Sequence, residues 1–210
     1  MGLVDKNINS DTKSELRRRR QPEAARDNIL AAAEALLIAA GPQSLKLADV
    51  ARAAGVSNAT VLHHFGSIAE AQTALMERMV RQLVLEILTI ARRDGAAAHS
   101  ATGEIAALFD AFESRGAARL AAWLELTGEA RRITFVQTAV REVVEARVGE
   151  FASIPDDLRE DLMLACATMA LGVGLFGPTL SELIGKPADR ARDVVLGVLL
   201  DHLRGVLASV

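Results

Sequence analysis

The chain of 210 residues has no tyrosine, one tryptophan and six phenylalanines. So little aromatic content argues against a sheet. The single cysteine, Cys166, has no second cysteine with which to form an internal disulfide. No uninterrupted apolar run reaches the roughly 18 residues of a membrane span. The opening MGLVDKNINSDTKSELRRRR is polar and lacks the apolar stretch of a secretory signal. A cytoplasmic protein without a membrane partner is expected. There is also no glycine-rich phosphate loop. His63 and His64 are adjacent rather than at the i, i+4 spacing of metal ligands, and Cys166 has no histidine near it in sequence. Asp156 and Asp157 have a simpler place at a helix start. Neither an enzyme nor a metal or cofactor is expected.

Half of the residues are apolar, with alanine, leucine and valine dominant, so an all-α fold is predicted. The net charge is −3, unevenly spread. Residues 1 to 66 hold nine Lys or Arg against seven Asp or Glu, which leaves the remainder acidic. Any nucleic-acid surface should therefore be N-terminal and local. Arg17 to Arg20 form the densest basic run, suited to a solubilising tail or a DNA-contacting arm.

Periodicity sets out the helices. Pro22 and Glu23 open the first, whose stripe is Ile29, Ala33, Leu36, Leu37 and Ala40, and Gly41-Pro42 stops it. Leu47, Val50, Ala51 and Ala54 give two further turns before Gly55. Ser57 then caps a short helix with Val61, His64 and Phe65 on one side. Ser67 and Glu70 form the capping box of a long helix to about Arg93. The stretch DGAAAHSATG reads as a loop, followed by helices over 103–114, 117–128 and 131–150. Pro155 opens another helix, which GLFGP loosens or ends. A last helix follows Gly185 and Pro187.

The stretch LADVARAAGVSNATVLHHFGS meets the needs of a helix-turn-helix: a small residue at the crossing (Ala51), a glycine in the turn (Gly55) and an apolar anchor in the second helix (Val61). Burying Val56, Val61 and Phe65 turns Asn58, Ala59, Leu62 and His63 outward, toward a major groove. A plain helical hairpin would use the same small residues. The amphipathic helix before it, the capped helix after it and the basic run upstream favour DNA binding. His64, beside Phe65, is expected against the first helix.

The longer segment ILAAAEALLIAAGPQSLKLADVARAAGVSNATVLHHFGS resembles the N-terminal domain of the TetR family of bacterial transcriptional regulators, over about residues 22 to 75. The resemblance implies a three-helix DNA-binding unit joined by a fourth helix to a larger helical domain. The chain then divides into a flexible basic arm (1–21), a DNA-binding domain (22–66) and a ligand-binding and dimerisation domain (67–210). It further implies that Lys46, Ser57 and His63 hold phosphates, while Asn58, Ala59, Thr60 and Leu62 lie nearest base edges; Ser67 completes the candidate set. Asn pairs with adenine, and Ala, Leu or the Thr methyl meets a thymine methyl. Leu62 and Ile68 stand where the family usually has tyrosine and lysine, both used on phosphates, which implies two lost contacts.

One reading head contacts too few bases for specificity, so a homodimer is expected. Its seam is assigned to the stripes on 157–174 and 188–207, through Leu162, Cys166, Val173, Val195, Val198, Leu199, His202 and Val206. The resemblance implies a four-helix bundle there. It also implies a pocket for a small hydrophobic effector, for which Phe109, Phe112, Trp123, Phe135, Met163 and Met169 are the candidates. The function expected is a ligand-responsive regulator, most commonly a repressor, on a palindromic operator. The alternative is a helical interaction module with weakened or lost DNA binding.

Overall fold

A computed structural model describes residues 5–94, 97–129, 138, 141 and 155–209 of the chain. All the regular elements among the described residues are helical. They are α1 (Asp5–Ala40), α2 (Leu47–Ala54), α3 (Asn58–Phe65), α4 (Ile68–Asp94), α5 (Ala97–Phe112), α6 (Ala117–Leu126), α7 (Asp156–Leu183) and α8 (Arg190–Ser209), with a single 3₁₀ turn at Pro42–Ser44. The chain divides into two compact units, Met1–Gln72 and Thr73–Val210, so the division falls inside α4.

In the first unit α1 begins at Asp5, so that residues 5–21 of the segment expected as an arm are helical. Lys13, Glu15, Leu16 and the four arginines are strong helix formers, and they carry the helix past Pro22, which removes one backbone donor. Ile29, Leu30, Ala33 and Leu37 are buried together with Leu45, Val50, Ala51, Val61 and Phe65. This is the core that fixes α2 and α3. Gly41, at φ 81, ends α1 and opens the 3₁₀ turn, where the Ser44 hydroxyl donates to the Leu36 carbonyl at 3.1 Å.

In the second unit, Ile105 and Phe109 of α5 are buried with Ala170 and Val173 of α7 and Leu199 of α8. Leu108, Phe112, Cys166, Val195, Leu196, Leu200 and Leu203 pack around them. Burial pushes the Cys166 thiol above its ordinary value, so it is a poor nucleophile. Arg192 of α8 meets Asp110 at 2.6 Å and Glu113 at 3.3 Å, both on α5. Burial opposes the charge of Arg192, but the hydrogen bond and charge of Asp110, with those of Glu113, outweigh it and hold its pKa above the ordinary value. The buried Ser181 hydroxyl accepts from the Ala191 N–H at 3.0 Å, capping α8 from α7.

Two boundaries differ from expectation. Most of DGAAAHSATG is the first part of α5, because the alanines of that part favour helix more strongly than Gly103 opposes it. GLFGP does not end α7, which continues through Pro178 to Leu183. Gly177 before the proline lacks the Cβ that normally drives the chain out of the helical region. The two glycines serve packing instead. A Cβ on Gly174 would lie 2.8 Å from the Phe112 carbonyl oxygen and 2.8 Å from the Ala118 Cβ; one on Gly177 would lie 3.4 Å from the Ala191 Cβ. The helix predicted over 131–150 falls largely outside the described residues; Thr138 and Arg141 within it are helical.

The residues assigned to the seam are unequally exposed in a single chain. Val173 and Leu199 are only 6% and 5% exposed within a single chain, because they belong to the core that α5, α7 and α8 share, and Cys166 and Val195 pack onto the same core. Leu162 and Val206 are half-buried, and His202 and Val198 are exposed. By length and composition Asp157–Leu183 is apolar enough to cross a membrane, at mean hydropathy 1.6, although its apolar residues are interrupted. Much of that apolar character lies outward: Leu164, Phe176, Leu180 and Leu183 are exposed.

Candidate nucleic-acid interface

The site is built on the turn between α2 and α3. Gly55 ends α2 in the left-handed conformation, φ 68 and ψ 28. Its N–H donates to Arg52, and the Val56 N–H reaches back to the Ala51 carbonyl at 3.0 Å. This closes a Schellman turn and spends carbonyls that the helix end would otherwise leave unpaired. Val56 is half-buried, and the chain leaves the turn extended at Ser57.

Ser57 caps α3. Its hydroxyl accepts the Thr60 N–H at 3.1 Å and lies 2.9 Å from the Thr60 hydroxyl. Val61 and Phe65 then turn inward, four residues apart, which leaves Asn58, Ala59, Leu62 and His63 exposed on the opposite side. Gly66, at φ 78, ends the helix, and Ser67 caps α4 by accepting the Glu70 N–H at 3.1 Å. Both serines in the candidate set therefore hold helix starts, and each such start directs free N–H groups and a positive dipole end outward.

Three further contacts hold this surface. The Asn28 side chain of α1 donates to the Ala54 carbonyl at 2.8 Å, fixing the end of α2. The Gln72 side chain donates to the Leu45 carbonyl at 3.0 Å, fixing the start of α2 against α4. The Arg26 guanidinium lies 4.9 Å from the Phe65 ring centroid, a cation–π contact over the end of α3. Periodicity does not reveal these partners, since Asn28 and Gln72 each reach a residue 26 or 27 positions away.

Lys46 is exposed at the start of α2. Arg52 is paired with Asp49 one turn earlier on the same helix. Thr60 is half-buried, with its hydroxyl turned to Ser57, so it is less available than its neighbours. His64 is half-buried, its ring 5.5 Å from His63 and 6.4 Å from Phe65. Ile68 is half-buried in the first turn of α4.

The residues assigned to a pocket differ in their exposure. Phe109 is wholly buried in the core of the second unit and Phe112 packs against it. Trp123 and Met163 are half-buried. Met169 is 38% exposed and lies on the outer side of α7, since its neighbour Ala170 takes the inward position. Phe135 lies outside the described residues.

The model of the tetR family of bacterial regulatory proteins matches residues 29–70, the segment that carries this surface. Over 69 residues the chain is 41% identical to an uncharacterized HTH-type transcriptional regulator of Mycobacterium tuberculosis, in strain H37Rv and, with the same figures, in strain CDC 1551. That match is 33% of this chain and spans only 34% of the length of each relative. Among solved structures, the fatty acid degradation regulator FadR from Bacillus halodurans is similar over 83% of this chain and 94% of its own, with TM-score 0.59 at 16% identity. A transcriptional regulator from Rhodococcus sp. Rha1 is similar over 84% and 96%, with TM-score 0.51 at 20% identity. At these identities the structural likeness speaks for the fold.

Proposed function

We propose that this chain, a TetR-family transcriptional regulator with a helix-turn-helix DNA-binding domain, is a repressor that binds a palindromic operator as a homodimer and is released by a small, mainly apolar effector. The observation that carries the reading is the outward face of α3. It is short, capped at both ends and held by a buried core beneath it, and a major groove admits an α-helix.

Support for the dimer comes from apolar surface that one chain leaves uncovered. Phe176 is 60% exposed and Val198 56% exposed, with Leu180, Leu183 and Val194 beside them. Gly172, Gly197 and Gly205 lie within α7 and α8, yet an added Cβ at any of them meets nothing within 4 Å among the described residues. Interior helix glycines cost roughly 0.5–1 kcal/mol each relative to alanine. Close approach of a second copy gives them a use, and the seam then runs through these positions rather than Val173 and Leu199. Sedimentation at micromolar concentration should give a dimer; a monomer would contradict this.

Effector release requires different affinities for two arrangements of the chain. The aromatic side chains Phe112 and Trp123 on α5 and α6 suit an apolar effector. Arg115, between those helices, contacts Gln82 and lies 3.8 Å from Glu86, both on α4. A shift of α5 or α6 therefore reaches α4, which enters the DNA-binding unit.

Gel-shift titration with the DNA flanking the chain's own gene tests the function. Binding should weaken steeply with salt, and Lys46→Ala should lower the slope of log affinity against log salt by about 1. An unchanged slope would remove Lys46 from the phosphate contacts. Failure to bind any duplex would favour an interaction module that has kept the fold only.

A further inference from the structure

We propose that the middle of α3 reads thymine methyl groups, so that the half-site carries A·T pairs opposite Leu62 and Ala59. The inference rests on α3 entering the major groove and adds what it selects there. Leu62 is 39% exposed, and among the described side chains of the first unit only Ile38 is a large apolar one left more open. Ala59, three residues earlier and also exposed, is its surface neighbour. Together they form an apolar centre on a helix whose inward side is already filled by Val61 and Phe65.

The nearby hydroxyls do not dilute that centre. Ser57 and Thr60 face each other at 2.9 Å, and the Ser57 oxygen also accepts a backbone N–H. The polar head groups left on the outward face are the Asn58 amide at one end and the His63 imidazole at the other. In the major groove the thymine C5-methyl is the apolar feature of the base-pair edges; G·C pairs present acceptors and a donor. Leucine against a G·C edge strips those groups of water and returns no hydrogen bond, a penalised arrangement. Against thymine it buries a methyl instead. Asn58 fits the same preference, because its amide matches adenine N6 and N7.

The test is selection of binding duplexes from a random pool, followed by replacement of each enriched thymine with deoxyuridine. This removes one methyl and leaves every hydrogen-bonding group in place. Binding should weaken about fourfold for each methyl that α3 contacts, and roughly fifteenfold when symmetric positions in both half-sites are changed. Leu62→Ala should bind the thymine and uracil duplexes alike at its own position, with unchanged melting because Leu62 is outside the core. Equal binding of thymine and uracil duplexes by the unaltered chain, or an enriched G·C pair at the position that loses discrimination in Leu62→Ala, would overturn the proposal while leaving DNA binding intact. A pool that yields no enriched duplex would overturn the DNA-binding reading, and this inference with it.

Discussion

Phe65→Ala is expected to destabilise the first unit by about 3–5 kcal/mol and to abolish DNA binding. Phe65 is the last residue of α3 and is buried against the α1–α2 core. Removing its ring opens a cavity that α3 cannot refill, because Gly66 and the Ser67 cap fix the chain immediately afterwards. The Arg26 guanidinium loses the ring face at the same time. A small domain has a total stability of about 5–15 kcal/mol, so this loss is a large share of it. Thermal unfolding followed by circular dichroism should show an early transition that Phe65→Leu largely restores. An unchanged melt with retained binding would mean that α3 is supported some other way.

Gly174→Ala is expected to destabilise the second unit, although alanine is the better helix former. Propensity alone favours the change by about 1 kcal/mol. Against it, the new Cβ would sit 2.8 Å from a backbone oxygen of Phe112 and 2.8 Å from the Ala118 Cβ. Neither is the end of a flexible side chain, so α7 must move away from both α5 and α6. Overpacking of this kind costs about 1–3 kcal/mol, and a backbone clash belongs at the upper end. The melting temperature should fall by several degrees, since about 1 kcal/mol corresponds to roughly 2–4 °C at this size. A rise would show that α7 has room to spare and that Gly174 does not set its distance from α5.

These two sites differ in how openly the sequence announces them. The α2–α3 turn is legible because its signals are local: a glycine, a serine cap and two apolar anchors lie within eleven residues, and each performs its task with near neighbours. The same locality makes the exposure of Asn58, Ala59, Leu62 and His63 readable in advance. Gly174 and Gly177 are not legible in that way. Inside GLFGP they look like helix breakers, and only the approach of α5, α6 and α8 reveals that they make room. The seam is hard to read for a related reason. An apolar stripe shows that a helix face is covered but not by what, and Val173 and Leu199 turn out to lie in the core that α5, α7 and α8 share. The signal that points outward is subtler: glycines inside a helix with nothing among the described residues to require them. The asparagine and glutamine that hold α2 are invisible to periodicity, since their partners are carbonyls that any residue could supply.

The central claim is that the outward side of α3 meets DNA, and Ala59→Glu tests it most directly. Ala59 is exposed at the second position of α3, where a carboxylate favours the positive helix end, so folding should be undisturbed or slightly improved. In the groove the same carboxylate faces phosphates and base acceptors. Titration of the gene-flanking duplex by fluorescence anisotropy should show binding weakened by more than about tenfold, with an unaltered melting curve. Binding as tight as that of the unaltered chain would place the DNA elsewhere on the protein and contradict the account.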